Sequence, residues 1–389
     1  MTPPARAAAA IEILGLWLSG QPAEAALTQW ARGNRFAGSG DRAAIRDLVY
    51  AVLRCQRSYA ALGGALTARG LILGHCRAQG IDPAEYFTGL RYAPEALSEA
   101  ELAAGRAPEG NEALDLPDWL EPILRADLGD DFEAVMQAQR ARAPVFLRMN
   151  LTKARAPEII AALTAEQIEV FPHPLASAAL EVTLNARKIA QTNSYQHGLV
   201  ELQDAASQAM VEDLPLAPGM RVLDYCAGGG GKALAIAARE KVEVIAHDID
   251  PARMRDLPVR AARAGTKIEI LTPEALAREG VQPCDLVLVD APCSGSGTWR
   301  RTPEAKWRLT PARLAELQAI QAEVLDQAAK RVRSGGHLAY MTCSLIAAEN
   351  GAQVDAFLAR HPGWSEISRR ALTPLQGGDG FFGAILQHG

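Results

Sequence analysis

No CxxC pair, no apolar run long enough to cross a bilayer and few aromatic residues occur in this 389-residue chain, and each lack narrows what it can be. Its six cysteines, at positions 55, 76, 226, 284, 293 and 343, do not have the spacing of a zinc site, so no metal is expected. In a chain of this size they predict free thiols rather than a disulfide frame. Without about 18 consecutive apolar residues there is no membrane span to assign. The first ten residues, with one arginine, do not read as a secretory signal. A cytoplasmic protein is expected, and nothing in the sequence demands more than a monomer. Excess positive charge is missing too: the net charge is −5, which by itself marks no nucleic-acid binder. The acidity is local, however. Residues 101–139 carry ten acids against two arginines, which leaves the rest of the chain at about +3. Segments 140–200 and 300–313 lean basic.

What is present supports sizeable cores. Hydrophobic residues make up 49% of the chain, and its length predicts two or three domains. The first hundred residues read as helices. Ile45, Leu48, Val49 and Val52 recur on one helical face after Asp41, a suitable N-cap, and Ile11, Leu14 and Leu18 do the same earlier. The acidic stretch from Leu97 to Asp118 predicts a linker or surface loop with little structure of its own. From Pro144 the texture changes: strands are expected at Val145–Asn150 and Ile168–Phe171 with a helix at Pro157–Leu163 between them. Beyond Glu201, short apolar strands alternate with helices at Arg221–Asp224, Val242–Ala246, Lys267–Leu271, Leu286–Val289 and His337–Met341. Thr310 and Pro311 open a helix with Leu317, Ile320, Val324 and Ala328 on one face, which Gly335-Gly336 should end. The expected class is α/β: a doubly wound, Rossmann-like sheet over 201–389, a small α/β module over 140–200 and an all-helical domain over 1–139.

The first of these strands runs into Cys226-Ala227-Gly228-Gly229-Gly230-Gly231-Lys232 and then a helix. Glycines there let the backbone approach a ligand and leave helix N-terminal amides facing it. Asp248, ending the second strand, is placed to bond ribose hydroxyls. The loop fits a nucleoside cofactor and leaves NAD and S-adenosylmethionine open, because Gly228, Gly230 and Ala233 also match the dinucleotide pattern. It is not a phosphate-binding P-loop, since Cys226 stands where that motif needs glycine.

Two cysteines decide between them. Asp290-Ala291-Pro292-Cys293 follows the fourth strand and Thr342-Cys343-Ser344 the fifth, so both thiols fall at strand C-termini, the edge where open α/β sheets bind ligands. Carbon 5 of cytosine is a poor nucleophile towards a methyl sulfonium. A thiolate that adds to ring carbon 6 makes it enamine-like and able to take a methyl group. A carboxyl group beside ring nitrogen 3 offsets the developing charge. Hydride transfer to NAD gives no account of such a set.

These segments resemble the Sun/Fmu family of RNA cytosine-5 methyltransferases, and the full chain resembles its bacterial ribosomal-RNA, RsmB-like branch. The resemblance rests on Gln203–Gln208, Cys226–Lys232, Asp290–Gly297, Pro303–Trp307, Thr342–Leu345 with Glu349-Asn350, and Asp379–Phe382. Arg148-Met149-Asn150 is similar to the Arg-Val-Asn that opens this family's substrate-side module, and the helical N-terminus is similar to a NusB-like RNA-binding domain. The resemblance implies Cys343 as nucleophile, Cys293 as the thiol assisting release and Asp290 near both cofactor and base. It implies that Cys226, Ala227, Gly228, Gly229, Gly230, Gly231, Lys232 and Asp248 hold S-adenosylmethionine. Thr272 stands on the cofactor's adenine side, where the family usually carries an acid. RNA, ribosomal by resemblance, is the expected partner, with Arg300, Arg301 and Lys306 as candidate phosphate contacts. The Gly228-Gly229 pair replaces the family's Ala-Pro and predicts a looser loop. The competing reading is a non-catalytic RNA-binding ribosome-assembly factor with a decayed cofactor site.

Overall fold

The computed structural model describes residues 1–278, 280 and 282–389. They form two compact units: Met1–Arg142 with Trp299–Leu309, and Ala143–Thr298 with Thr310–Gly389.

The first unit is helical. Helices Pro3–Leu18, Ser39–Arg54 and Ala68–Ala78 bury Ile13, Leu14, Ile45, Val49, Val52 and Leu71–Leu73 in one core. Asp41, expected as an N-cap, is the third residue of its helix; Gly38 takes the cap position. The Asp41 carboxylate instead accepts from the Met1 amino group at 3.0 Å and from Arg6 at 2.8 and 2.9 Å. An anion in a first helical turn is favoured by the helix dipole. The acidic stretch is better ordered than expected. It holds a short helix, Glu99–Ala103, opened by a Ser98–Glu101 capping box. It is fastened by Asp115, fully buried, which accepts from Ser58 N (2.9 Å), Ser58 Oγ (2.7 Å) and Arg140 Nε (2.8 Å). Segment 299–309, assigned from sequence to the 201–389 domain, packs in this unit. Trp307 Nε1 donates to Leu53 O at 2.6 Å, and Arg54 Nε donates to Arg300 O at 2.6 Å.

The second unit contains two sheets. Strands β1 (Val145–Met149), β2 (Glu169–Pro172), β3 (Ala179–Leu184) and β4 (Val200–Leu202) form an antiparallel sheet in the order β2-β3-β1-β4. Leu147, Met149, Leu180 and Val200 pack on Ile159 and Leu163 of the helix Ala156–Ala165. The larger sheet comprises β5 (Arg221–Asp224), β6 (Glu243–His247), β7 (Ile268–Leu271), β8 (Cys284–Asp290), β9 (Val332–Thr342), β10 (Trp364–Leu372) and β11 (Phe381–His388). Their order is β10-β11-β9-β8-β5-β6-β7. The five strands from β9 to β7 are parallel, and β11 and β10 are antiparallel additions.

Burial on both faces explains why β8 reads as an unbroken apolar run. Leu286 and Leu288 face Leu234, Ile236 and Leu257, whereas Val287 and Val289 face Leu325, Val354 and Phe357. Helix Pro311–Ala329 opens as expected, with Thr310 Oγ1 accepting from Arg313 N at 3.1 Å. Its buried stripe is Leu314, Leu317, Gln321 and Leu325, so a glutamine sits where Ile320 was expected. Gly335-Gly336 does not end this helix. The pair lies inside β9, where the pairing with β8 slips between Cys284 and Leu286. Strand order reverses between β5 and β8, so the crevice at their C-terminal ends is where such a sheet holds a ligand.

Candidate active site

Three strand ends supply the site. The chain leaves β5 at Asp224, passes Cys226–Gly230 and enters the helix Gly231–Arg239. Gly230, at φ +78°, adopts a left-handed conformation, and a Cβ there would stand 2.3 Å from Leu257 Cδ1, so only glycine fits. The turn is stitched to β6: Ala227 N donates to His247 O at 2.8 Å and Gly228 N to Asp248 Oδ2 at 2.8 Å. Asp248 is 1% exposed and also pairs with Arg253 at 3.0 Å. The looseness expected of Gly228-Gly229 is taken up by arginines. A Cβ on Gly228 would meet the Arg253 guanidinium at 3.1 Å, and Arg260 Nη1 donates to Gly229 O.

Beyond β8 and β9 the two sulfurs meet. Cys293 Sγ and Cys343 Sγ are 3.5 Å apart, and both residues are half-buried. The hydrogen bond with Cys343, burial and the Cys343 charge push the Cys293 thiol well above the ordinary range, with Glu349 adding to the same effect. Cys293 therefore holds its proton beside its neighbour. Lys232 Nζ lies 2.6 Å from Asp290 Oδ2 and 4.7 Å from the centre of the Phe381 ring. Burial opposes the ammonium charge, but Asp290 outweighs it and raises Lys232 above its usual value.

Cys226 is different from the other two. Burial, reinforced by Asp224, Asp290 and Asp248, pushes its thiol far up, which disfavours a thiolate at this position. Asp224, which the sequence reading passed over, is fully buried beneath the loop. Desolvation and then the charge of Asp290 push its carboxyl up to about 7, against the pull of Lys232. The signal for it was an acid ending a strand that runs into glycines. Carboxylates thus gather around the loop at 224, 248 and 290 against Lys232 and Arg253, a donor set that suits a cofactor bearing sulfonium and ammonium charges.

Thr272 is exposed after β7, and its Oγ1 caps the helix Pro273–Leu276 by accepting from Ala275 N at 3.2 Å. Arg300 and Lys306 are 5% and 2% exposed inside the helical unit, which corrects their reading as phosphate contacts. Lys306 Nζ donates to Arg54 O at 3.3 Å, and burial pushes its ammonium down to about 8. Arg301, half-buried, lines a cleft of about 520 Å³ in the same unit with Arg46, Arg54, Arg140 and Arg142. Arg148, from the Arg-Met-Asn motif, is buried and ties β1 to the glycine loop: its Nη1 donates to Gly231 O at 3.1 Å and to Gln203 Oε1.

Comparison with known proteins gives a consistent family. A family model described as 16S rRNA methyltransferase RsmB/F matches residues 212–385. A second, described as a Methyltr_RsmF/B-like, ferredoxin-like domain, matches residues 116–187. The ribosomal RNA small subunit methyltransferase B of Xylella fastidiosa is 34% identical over 384 residues, covering 93% of this chain and 85% of that protein. Among solved structures, the crystal structure of PH0851 matches with a TM-score of 0.76 at 23% identity, covering 99% of each chain. The structure of NSun6 from Pyrococcus horikoshii with SFG matches with a TM-score of 0.62 at 17% identity, covering 70% of this chain and 98% of that one. At these identities the two structures speak for the fold alone.

Proposed function

The chain belongs to the 16S rRNA methyltransferase RsmB/F family, and from that premise we propose that it methylates carbon 5 of a cytosine in 16S ribosomal RNA through a covalent adduct on Cys343. The observation that carries this reading is the 3.5 Å approach of Cys293 and Cys343 at strand ends beside the Lys232–Asp290 pair. A lone buried thiol needs no such neighbours.

When bound in the Cys226–Lys232 loop, with Asp248 on its ribose side, S-adenosylmethionine supplies an electrophilic methyl group. The protein's own residues do the rest. Cys343, as thiolate, forms the bond to ring carbon 6, and the electron pair displaced from the ring double bond makes carbon 5 nucleophilic. Asp290, which shares a proton with Lys232 across their 2.6 Å contact, passes it to ring nitrogen 3 as the adduct forms and so neutralises the negative charge that develops there. After methylation a water molecule takes the carbon 5 proton, the electrons of that bond restore the ring double bond, and Cys343 leaves as thiolate while ring nitrogen 3 returns its proton to Asp290. The Cys293 thiol, which retains its proton, is placed to hydrogen-bond that departing sulfur and so to favour release. The target nucleotide must leave its stack to reach the crevice.

The assignment separates the thiols experimentally. Cys343→Ala should abolish both methyl transfer to 16S rRNA and detergent-stable protein–RNA adducts. Cys293→Ala should accumulate the adduct while losing turnover. Bisulfite sequencing of the treated RNA identifies the product. Reversed outcomes for the two variants would exchange their roles, and unmethylated RNA from the parent protein with S-adenosylmethionine would sink the reading.

A further inference from the structure

Glu349 follows β9 in a short turn, and the mechanism just described does not use it. Its side chain is completely buried (0% exposed). Among the described residues no basic group pairs with it, so a carboxylate has been desolvated without a counter-charge, an arrangement that costs several kcal/mol unless other donors compensate. Four donors do. Oε1 accepts from Ser294 N at 2.8 Å and Gln321 Nε2 at 3.1 Å; Oε2 accepts from Ser294 Oγ at 2.5 Å and Ser344 Oγ at 2.6 Å.

The identity of the partners matters more than their number. Ser294 directly follows Cys293, and Ser344 directly follows Cys343. Gln321 also donates to Pro292 O at 3.0 Å, the residue before Cys293. One carboxylate therefore grips the chain next to both sulfurs, and through Gln321 it reaches the far side of one of them. Its own position is fixed by the Tyr340 hydroxyl, which donates to Glu349 O at 2.6 Å. Asn350 completes the hold on the second loop: its Oδ1 accepts from Thr342 Oγ1 at 2.5 Å and its Nδ2 donates to Ser344 O at 2.9 Å. Beyond the β8–β9 ladder the loops are also tied by Gly297 N, which donates to Cys343 O at 2.9 Å, and by Ser296 Oγ, which accepts from Leu345 N at 2.7 Å; among the described residues the Glu349 carboxylate is the one side chain that holds the residue after each cysteine at once.

We propose that Glu349 is a positioning residue that clamps the two cysteine loops together and adds to the bias that leaves Cys343 as the attacking sulfur. The proposal rests on the cysteine-adduct reading above. The charged and titratable groups acting on Cys293 are Cys343 and Glu349, and both favour its neutral form. Removing the anion should weaken the clamp and the bias together.

The test uses the full chain. Glu349→Gln keeps the shape and removes the charge. Its turnover should fall about 100-fold, the loss expected when reacting groups are misplaced by about 1 Å, with KM for S-adenosylmethionine unchanged. The pH profile for iodoacetamide alkylation of Cys293, read by peptide mass spectrometry, should move about half a pH unit lower, roughly threefold more alkylation near pH 8. Glu349→Asp should restore the profile, because it restores the anion. Parental turnover and an unmoved profile in folded Glu349→Gln would overturn the proposal. If that variant does not fold, Ser344→Ala and Ser294→Ala decide: each removes one hydroxyl donor and should lower turnover about tenfold, and parental turnover in both would overturn it. If the parent protein itself methylates no RNA, the cytosine reading fails on its own, and the alkylation profiles, which need neither RNA nor cofactor, still decide the clamp.

Discussion

Among single residues, Asp224 ties the stability of the fold to pH. Its carboxyl, normally near 3.8, is pushed up to about 7 by burial and then by Asp290. In the unfolded chain it ionises at its ordinary value, so between about pH 4 and 7 the folded protein keeps a proton that the unfolded chain releases. Its contribution to stability is therefore present at low pH and lost as pH rises through 7. The shift corresponds to at most about 4 kcal/mol. Asp224→Asn removes the titrating group. Relative to the parent, its melting temperature should rise between pH 5 and pH 8, and identical pH dependence of the two proteins would show that the carboxyl is ionised in the fold. Lys306 makes the opposite kind of case. A basic residue in a basic stretch reads as a phosphate contact, but its stem fills a buried position and its ammonium is held down to about 8. Residue type in a charge run does not distinguish a solvated lysine from a buried one, because the deciding contact, Arg54 O, is 252 positions away.

The Cys226–Lys232 loop shows what an element adds beyond its residues. Gly228 and Gly229 replace an Ala-Pro pair, which from sequence predicts slack. In the fold, Arg253 and Arg260 sit against the two glycines, and Arg253 also pairs with Asp248. Restoring alanine at 228 should therefore not tighten the loop. Gly228 has φ +52°, a left-handed conformation that disfavours a Cβ, and the new methyl would press on Arg253. Gly228→Ala should cost about 1–2 kcal/mol and weaken S-adenosylmethionine binding. Thermal melts and calorimetry measure the two effects, and tighter binding by the variant would show that slack does limit the loop. The ordered motifs of this sheet were legible because each is contiguous: a strand, then the residues its C-terminal end presents. The antiparallel strands β10 and β11 were not legible. Ser365, Glu366, Ser368, Arg369 and Arg370 give β10 no apolar alternation, and its strand character comes from pairing with β11. Glu349-Asn350 stood out as a motif of the resemblance, but its contacts were hidden, since the partners Ser294 and Gln321 come from two other elements. A buried glutamine on the core face of Pro311–Ala329 is the one local sign that a polar partner lies beneath.

At the scale of the molecule, chain order and compact units do not coincide. The helical unit is completed by Trp299–Leu309, eleven residues that leave the second unit just after the Cys293 loop. Trp299 is 1% exposed, Trp307 packs on the helical core and donates to Leu53 O, and Arg300 N donates to Gln139 Oε1 at 2.9 Å. The sequence reading ends the helical domain at residue 139, just before the change of texture at Pro144, and composition gives no sign that a later segment returns. The helical unit made from residues 1–142 alone should lack this support. Losing the buried Trp299, worth about 3–5 kcal/mol on truncation, together with the partly buried Trp307 and several backbone hydrogen bonds, should bring a small domain of marginal stability to the edge of unfolding. The fragment 1–142 is expected to melt without a cooperative transition, and a synthetic peptide of residues 299–309 added in excess should restore one. A fragment that unfolds cooperatively by itself at the temperature of the full chain's helical unit would show that the returning segment adds nothing to its stability.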